Sequence, residues 1–273
     1  MDGLLKEMKI ALAQMRLGRG TLEANLKKTE SWCRQAAVQG ADLILLPELW
    51  ASGYDLKEAD QHAVKRGQGS FARMQEWAVK HQISIGGSIL EQGDKGIYNT
   101  FALYHSDQSP PAYYRKTHLF GLLGEDKWLQ AGDKPVLAET PWGKTGLAVC
   151  YDLRFPRMFR WYAQQGAVLI LISAVWPRKR IVHWQKLLMA RAIENQVFIG
   201  AVNRTGKLDQ EELGGSSVLV DPMGLVHPDF HSREELIIES FDFQEVQKVR
   251  SWMSVLNDQR SDQEWEKNWS GDD

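Results

Sequence analysis

Cysteine is scarce in this chain, with only Cys33 and Cys150 among 273 residues. Two isolated cysteines exclude a disulfide framework and indicate a reducing compartment. No apolar run approaches the roughly 20 residues that a membrane span requires. The first residues, in which Lys6, Glu7 and Lys9 interrupt short apolar stretches, lack the pattern of a signal peptide. We therefore expect a cytoplasmic protein that has no membrane partner.

An excess of charge of one sign is also absent. The chain has 33 Lys and Arg against 35 Asp and Glu, for a formal net charge of -2. This balance argues against nucleic acid as a partner, and the one basic cluster, residues 177–180, is interpreted as a solvated loop. A hydrophobic content of 43% and a charged content of 25% are ordinary for a globular protein. The length suffices for one large α/β domain, which we predict to span residues 1–273.

Histidine patterns typical of metal sites are missing too. None of the seven histidines belongs to an HExxH motif or accompanies a cysteine pair. We therefore predict no metal and no other cofactor. A thiol paired with an imidazole is still possible from the sequence, with His118 or His183 as the base of Cys150.

Three strand-like segments each end close to a residue whose side chain could take part in catalysis. Residues 147–149 are apolar and run into Cys150, and residues 43–46 are apolar and end at a proline followed by Glu48. A proline cannot donate to a strand ladder, so the second strand should stop there. Lys116 follows two tyrosines in a third such segment. Taken singly, these residues have plain interpretations as a buried cysteine, a solvated carboxylate and a surface lysine, but their shared placement favours a common site.

Strand and helix patterns alternate along the chain without a linker. Strands are predicted over residues 10–13, 43–46, 83–90, 98–104, 147–149, 168–172 and 197–202. Helices are predicted from a Thr21 cap to residue 39, from a Ser70 cap, and over residues 156–165 and 183–195. The repeated strand–helix order predicts a layered α/β domain.

On these motifs the chain resembles the carbon–nitrogen hydrolase (nitrilase) superfamily. The matching pieces are PELW around Glu48, YRKTHLF around Lys116, CYDLRFP around Cys150, and residues 176–196 and 214–224. They occur in the family's order from about residue 9 to about residue 260. The resemblance implies an α/β fold, a four-layer α-β-β-α sandwich with internal pseudo-two-fold symmetry. It also implies a homodimer or a higher homo-oligomer.

The resemblance also implies roles for the three residues. Glu48 would be the general base, Lys116 the electrostatic stabiliser and Cys150 the nucleophile. Many members place a second glutamate after the lysine segment, which Glu125 fits best, with Asp126 as the neighbouring candidate. A free thiol has a pKa near ~8.5 and needs such a base at neutral pH. Because two carboxylates and a thiol surround one lysine, we expect them to titrate as a coupled set.

The residues after the cysteine indicate the branch of the superfamily. Members that act on nitriles commonly read Cys-Trp-Glu, whereas this chain reads Cys150-Tyr151-Asp152, similar to amidases and carbamoyl hydrolases. The lysine and cysteine segments together are most like ω-amidases, which hydrolyse ω-amides of dicarboxylic acids such as 2-oxoglutaramate. One departure is Arg157, where many relatives carry glutamate. The expected reaction converts a small linear amide to a carboxylate and ammonia through a Cys150 thioester.

Three alternatives stay open at this point. An N-carbamoyl amino-acid or amine hydrolase and a nitrilase would use the same three residues. A non-catalytic binding protein on this fold is the third, although it would have no need for all three. Ammonia release from amides, carbamoyl amino acids and nitriles separates these possibilities.

Several residues are candidates for binding a small-molecule amide. They are Tyr151, whose N–H would be a second oxyanion donor, and Tyr54, Phe120, Arg154 and Trp176. A guanidinium suits a planar carboxylate, so Arg154, Arg178 and Arg180 are candidates for a substrate carboxylate. A structural salt bridge is an equal alternative for Arg154, as is a core role for Tyr54 and Phe120. Residues 243–273 form a tail with apolar residues, including Trp252, Trp265 and Trp269, which we expect to dock on the body or on a second subunit.

Overall fold

The computed structural model describes residues 7–260. Two six-stranded sheets form its centre. The first sheet contains β1 (Glu7–Gln14), β2 (Leu43–Leu45), β3 (Ser84–Gly93), β4 (Gly96–Tyr104), β5 (Ala112–Arg115) and β14 (Glu235–Asp242). The second contains β6 (Leu137–Ala138), β7 (Thr145–Val149), β8 (Leu169–Ala174), β9 (Phe198–Asn203), β12 (Val218–Val220) and β13 (Val226–His227). Strands β10 (Thr205–Leu208) and β11 (Glu211–Gly214) form a separate hairpin.

The two sheets repeat one pairing pattern. The first has the order β14-β1-β2-β3-β4-β5, and the second, read from its other edge, has the order β6-β7-β8-β9-β12-β13. In both, the successive pairings are antiparallel, parallel, parallel, antiparallel and antiparallel. Parallel neighbours need crossover connections, which helices supply at equivalent places in each half. This repetition is the internal pseudo-two-fold symmetry that the resemblance predicts.

Helices cover the outer faces of both sheets. The main ones are α1 (Leu22–Val38) and α3 (Gly69–His81) on the first sheet and α5 (Pro156–Gln164) and α6 (Ile181–Asn195) on the second. The other helices in the described residues are α2 (Ala59–His62), α4 (Glu125–Trp128) and α7 (Gln244–Trp252). Side chains alternate between the two faces of a strand, so Ile10 and Leu12 of β1 pack between the sheets while Ala11 and Ala13 face α1 and α3. On the far side α5 and α6 pack on the second sheet. The predicted four-layer α-β-β-α fold is confirmed.

The two sheets approach each other closely at β1 and β9. A Cβ built on Gly200 of β9 would lie 3.0 Å from Ile10 Cδ1. Only glycine therefore fits here without displacing a core side chain of the opposite sheet. This tight packing holds the strand ends of the two sheets, which carry the residues described below, in one fixed arrangement.

One predicted cap residue is wrong, since Ser70 lies inside α3, which follows Gln68 as its cap residue. Thr21 is the cap residue of α1 as predicted, although its side chain makes no capping hydrogen bond. Instead, the carbonyl of Thr21 accepts the N–H of Asn25 and its hydroxyl contacts the side chain of that residue. The sequence predicted both helices, but the residue at which each one begins depends on local hydrogen bonding.

The described part of the tail packs on the second sheet. Val246 of α7 is buried, and Leu256 contacts the same core cluster. Arg250 donates to the carbonyl of Ala167 at 2.7 Å, whereas Trp252 is 68% exposed. Trp265 and Trp269 lie outside the described residues, so the docking of the whole tail and the extent of the single domain stay predictions. Within residues 7–260, no helix is long and apolar enough to cross a bilayer.

Candidate active site

The carboxyl ends of β2 and β8, from opposite sheets, are joined by hydrogen bonds. Ser173 Oγ in β8 donates to the carbonyl of Leu46 at 2.6 Å. The N–H of Glu48 donates to the carbonyl of Ala174 at 3.4 Å. The proline after Leu46 ends the strand and turns Glu48 inward, where it is fully buried. A carboxylate in such a position is held between the sheets.

Lys116 joins two buried carboxylates. Its N–H donates to the carbonyl of Asn99 at 2.8 Å, which extends the β4–β5 pairing to the lysine. Its Nζ donates to Glu48 Oε1 at 2.8 Å and to Glu125 Oε1 at 2.7 Å, and all three side chains are fully buried. An ammonium has three N–H donors, so one remains for a further acceptor. Burial by itself lowers the pKa of Lys116, but the charges of Glu125 and Glu48 raise it more, so the group stays protonated.

Glu48 is fixed at both carboxylate oxygens. Oε1 also accepts from Asn99 Nδ2 at 2.9 Å, and Oε2 accepts from the N–H of Val175 at 2.9 Å. Burial is the largest cause that raises its pKa; the Lys116 charge opposes it and the Glu125 charge adds to it, for a result of about 7. A carboxylate with this pKa can exchange a proton near neutral pH.

Cys150 begins the 3-10 turn Cys150–Arg154 directly after β7, as the apolar run predicts. Its φ is +45°, a conformation that non-glycine residues rarely adopt and that is common at functional turns. The thiol donates to the carbonyl of Val175 at 3.6 Å, and Glu48, which accepts the N–H of the same Val175, is close enough to shift the pKa of the thiol. Burial, followed by the negative charge of Glu48, raises the pKa of the thiol. The resting site therefore holds a thiol, with Glu48 placed to accept its proton.

Glu125, rather than the exposed Asp126, faces Lys116. It is the first residue of α4, and its Oε2 accepts the N–H of Phe120 at 2.7 Å. Tyr54 donates its hydroxyl to Glu125 Oε1 at 2.5 Å. The sequence makes Tyr54 a candidate for the wall of the substrate pocket, but its side chain is buried against Glu125 and does not line the cleft described below.

A narrow cleft leads to the thiol and encloses about 230 Å³ of empty space. Its walls are Phe120, Cys150, Tyr151, Arg154, Val175, Trp176, Pro177 and Arg180. Four of the five predicted binding residues therefore line it. The walls leave little free space between them, so the cleft suits a small substrate.

Two guanidiniums lie at this cleft. That of Arg154 stacks 4.8 Å from the Trp176 ring centre and contacts His183 Nδ1 at 3.3 Å, and that of Arg180 lies 5.4 Å from the ring centre of Phe120. No carboxylate within residues 7–260 pairs with either one, so the structural salt bridge considered for Arg154 is not formed there. Arg178, by contrast, pairs with Glu212 at 2.9 Å and does not line the cleft.

Neither candidate histidine occupies the position of a base. His118 Nδ1 lies 2.7 Å from Asp152 Oδ1, and His183 lies beside Arg154, whereas the carboxylate whose charge raises the pKa of Cys150 is that of Glu48. In the described part of the chain, no three His, Cys, Asp or Glu form a cluster that could hold a metal ion. The prediction of no cofactor stays a prediction.

Sequence reasoning missed two contacts of Glu48. Asn99 interrupts an apolar strand, which was a usable signal, since a buried amide needs a partner. The N–H of Val175 carried no signal, because a main-chain donor is independent of the side chain.

Comparison with known proteins agrees with this geometry. The family model described as carbon-nitrogen hydrolase matches residues 9–251, and the chain belongs to this family. A 2-oxoglutaramate amidase of Bacillus subtilis is 36% identical over 254 residues, which cover 93% of this chain and 98% of that protein. An omega-amidase of Homo sapiens is 31% identical, with 94% and 97% covered. The predictions of the superfamily and of a carbon–nitrogen hydrolase are confirmed.

Solved structures show the same fold. A CN-hydrolase superfamily protein of Xanthomonas campestris, with an arsenic adduct in its active site, superposes with a TM-score of 0.87 at 26% identity, covering 94% of this chain and 98% of that one. A mutant amidase of Nesterenkonia sp. AN1, with the acetamide moiety of fluoroacetamide covalently added at its active-site cysteine, gives a TM-score of 0.82 at 27% identity, with 96% of each chain covered.

Proposed function

We propose that this protein hydrolyses the ω-amide of a small dicarboxylic acid to the carboxylate and ammonia through a thioester on Cys150. The observation that carries the proposal is the buried contact of Lys116 with Glu48 and Glu125 beside a thiol that opens into a small cleft. The amidases of Bacillus subtilis and Homo sapiens support the choice of an amide.

Acylation follows from the placement of three groups. Glu48 accepts the proton of Cys150 as the sulfur attacks the amide carbon, and the carbonyl π electrons move to oxygen. The free N–H of Lys116 and the backbone N–H of Tyr151 are the donors that can stabilise this oxyanion. When the tetrahedral intermediate collapses, the C–N bond breaks and Glu48 returns the proton to the leaving nitrogen, which departs as ammonia.

Deacylation uses the same groups in reverse. Glu48 accepts a proton from water as the water oxygen attacks the thioester carbon. When the C–S bond breaks, Glu48 returns this proton to the sulfur, which regenerates the thiol and the carboxylate base. Glu125 holds the ammonium of Lys116 from the side opposite Glu48 and is itself held by Tyr54. The lysine therefore stays charged and in place through both steps.

The cleft arginines support a substrate that carries a carboxylate. Arg154 and Arg180 bring two positive charges to the cleft without an acidic partner among the described residues. A guanidinium binds a carboxylate through two parallel hydrogen bonds. A small cleft with an anion site at its rim and a thiol at its end fits an ω-amide better than a plain alkyl amide.

The test of this proposal is ammonia release from a panel of matched substrates. 2-Oxoglutaramate and glutaramate should be the best substrates, followed by the uncharged pentanamide, with N-carbamoyl-β-alanine and 4-cyanobutyrate far slower. Preference for the carbamoyl compound or the nitrile would move the protein to the corresponding alternative branch. Absence of turnover on every compound would favour a binding protein.

Arg154→Met should raise the KM for glutaramate about 10- to 100-fold, because a hydrogen bond to a charged group contributes about 1.5–3 kcal/mol. The KM for pentanamide should change little, since that substrate has no carboxylate. Arg178→Met is the matched control, because Arg178 is paired with Glu212 outside the cleft. An equal loss on both substrates would contradict a role in binding the carboxylate.

The pH dependence should report Glu48. In the free enzyme the base must be deprotonated, so kcat/KM should rise tenfold per pH unit below about pH 7 and level off above it. The apparent pKa belongs to the coupled set of Glu48, Lys116 and Cys150. Because the pKa of Lys116 is raised, the plateau should extend into the alkaline range. An acid limb at the ordinary carboxyl value of 4.5 would contradict this assignment.

A further inference from the structure

Asp152 is a fully buried carboxylate that has no part in the proposed reaction. It lies in the turn that begins at Cys150, and its Oδ2 accepts the N–H of Val149 at 2.9 Å. Val149 is the last residue of β7 and the immediate neighbour of the nucleophile. One carboxylate oxygen therefore holds the turn in which Cys150 adopts its positive φ.

The same carboxylate binds both sides of the lysine segment. The hydroxyl of Tyr114 donates to Oδ2 at 2.8 Å. Oδ1 accepts from the N–H of His118 at 3.2 Å, lies 2.7 Å from the Nδ1 of that ring, and accepts from Thr117 Oγ1 at 3.3 Å. Tyr114 lies two positions before Lys116, and Thr117 and His118 lie one and two positions after it. Asp152 thus contacts the main chain or side chains on either side of the lysine.

The position of the Lys116 ammonium relative to the Cys150 sulfur depends on contacts between two different sheets. Lys116 follows β5 of the first sheet and Cys150 follows β7 of the second, so no ladder of strand hydrogen bonds fixes the distance between them. The packing of the sheets and the hydrogen bonds between the ends of β2 and β8 place the two segments near each other, and hydrogen bonds to a charged acceptor, which are short and directional, can refine that position. Asp152 is the group that receives hydrogen bonds from both segments.

We propose that Asp152 is a positioning residue that sets the Lys116 ammonium relative to the Cys150 sulfur, an inference that rests on the proposed function. It acts through its hydrogen bonds and does not touch the substrate. All its donors are N–H or O–H groups, so the acceptor must be a carboxylate. An asparagine would turn an NH₂ group toward at least one donor and release one of the two segments.

Asp152→Asn should therefore lower kcat for glutaramate about 100-fold with KM within about 3-fold, since a displacement of about 1 Å can cost that much. Alkylation of Cys150 by iodoacetamide forms no oxyanion and does not need Lys116 in that role. Its rate should fall by less than about 5-fold, because the variant displaces the oxyanion donor more than it affects the nucleophile. The two rates together separate positioning from simple damage to the turn.

The matched control is Asp221→Asn. Asp221 is also a buried carboxylate that accepts two backbone N–H groups, those of Met223 and Leu225 at 2.9 Å each, within the turn between β12 and β13. This variant should keep kcat within about 2-fold, as expected for a change away from the reacting groups.

A second variant keeps the test decisive if Asp152→Asn fails to fold. His118→Phe removes one donor to Asp152 and preserves a flat ring to stack on Phe155, whose centre lies 3.7 Å from that of His118. It should lower kcat about 10-fold, because one hydrogen bond to a charged group is lost, and it should leave the rate of alkylation unchanged. Unchanged kcat in both folded variants, or equal losses of turnover and alkylation, would overturn the inference. Failure of the wild-type protein to release ammonia would instead contradict the proposed function.

Discussion

Cys150→Ala should reduce ammonia release from glutaramate by at least about 10⁴-fold, as the loss of a nucleophile does in other covalent hydrolases. The reason is that an amide carbon is a poor electrophile, and the thioester replaces one difficult step by two easier ones. The variant leaves Glu48, Lys116 and Glu125 paired, so the fold should persist. Ammonia is measured by a coupled assay, and intact-protein mass after rapid quenching should show an acyl adduct on wild type that the variant lacks.

Cys33→Ala is the control for that experiment. Cys33 is also a completely buried thiol with a raised pKa, but it packs in α1 against the first sheet. Its removal should leave kcat within about 3-fold, because only a small core side chain is shortened. If Cys150→Ala retained ammonia release comparable to that of Cys33→Ala, the thiol mechanism would be wrong.

The three central residues were predictable because each follows a strand. An apolar run that stops abruptly at Glu48 or Cys150 indicates a strand end, and strand ends are where α/β sheets place polar groups that face a ligand. Lys116 follows β5 in the same way. Resemblance to the family then supplied their roles, which composition and spacing alone could not.

The partners that hold these residues were not predictable from spacing. The contact of Asn99 with Glu48 depends on the registers of β2 with β3 and of β3 with β4, and the contacts of Asp152 depend on how the two sheets pack. A change of one residue in register would move each side chain to the other face. Of the two alternatives that the sequence left open for Tyr54, the structure has the core position, where its hydroxyl donates to Glu125.

The prediction of Ser70 as a cap residue was wrong for a more local reason. Ser70 and Thr21 have side chains typical of helix starts, but neither makes the capping hydrogen bond. Capping competes with other local hydrogen bonds by only about 1 kcal/mol, which tertiary contacts outweigh. The residues at the site are specified by far larger energies, because a buried charge without its partner costs several kcal/mol.

We expect Lys116 to support both the fold and the proposed chemistry, because its ammonium balances the charge of two buried carboxylates. Two carboxylates share its ammonium, and the Oε1 atoms of both glutamates bond to Nζ. Without the lysine, Glu48 and Glu125 would face each other in the core as unpaired like charges. One of them would then take up a proton, which removes either the base or the residue that holds the lysine segment.

Lys116→Met should therefore lower kcat about 10³-fold and reduce the free energy of unfolding by about 3–5 kcal/mol at neutral pH, the cost of removing one partner of a buried ion pair. Without the ammonium, burial and the charge of Glu125 raise the pKa of Glu48 in the folded state without opposition from Lys116. The folded state then binds more protons than the unfolded state, so stability should fall as pH rises and recover toward acid pH. Urea unfolding at about pH 5 and about pH 8 measures this slope.

Lys116→Met combined with Glu125→Gln separates the two effects. Removal of one carboxylate relieves the like-charge repulsion, so the double variant should regain part of the lost stability and lose part of its pH dependence. Its kcat should stay low, because no cation remains to meet the oxyanion. Turnover within about 10-fold of wild type in either variant would show that Lys116 serves the fold alone. In that case the Tyr151 N–H and other neutral donors would have to stabilise the intermediate by themselves.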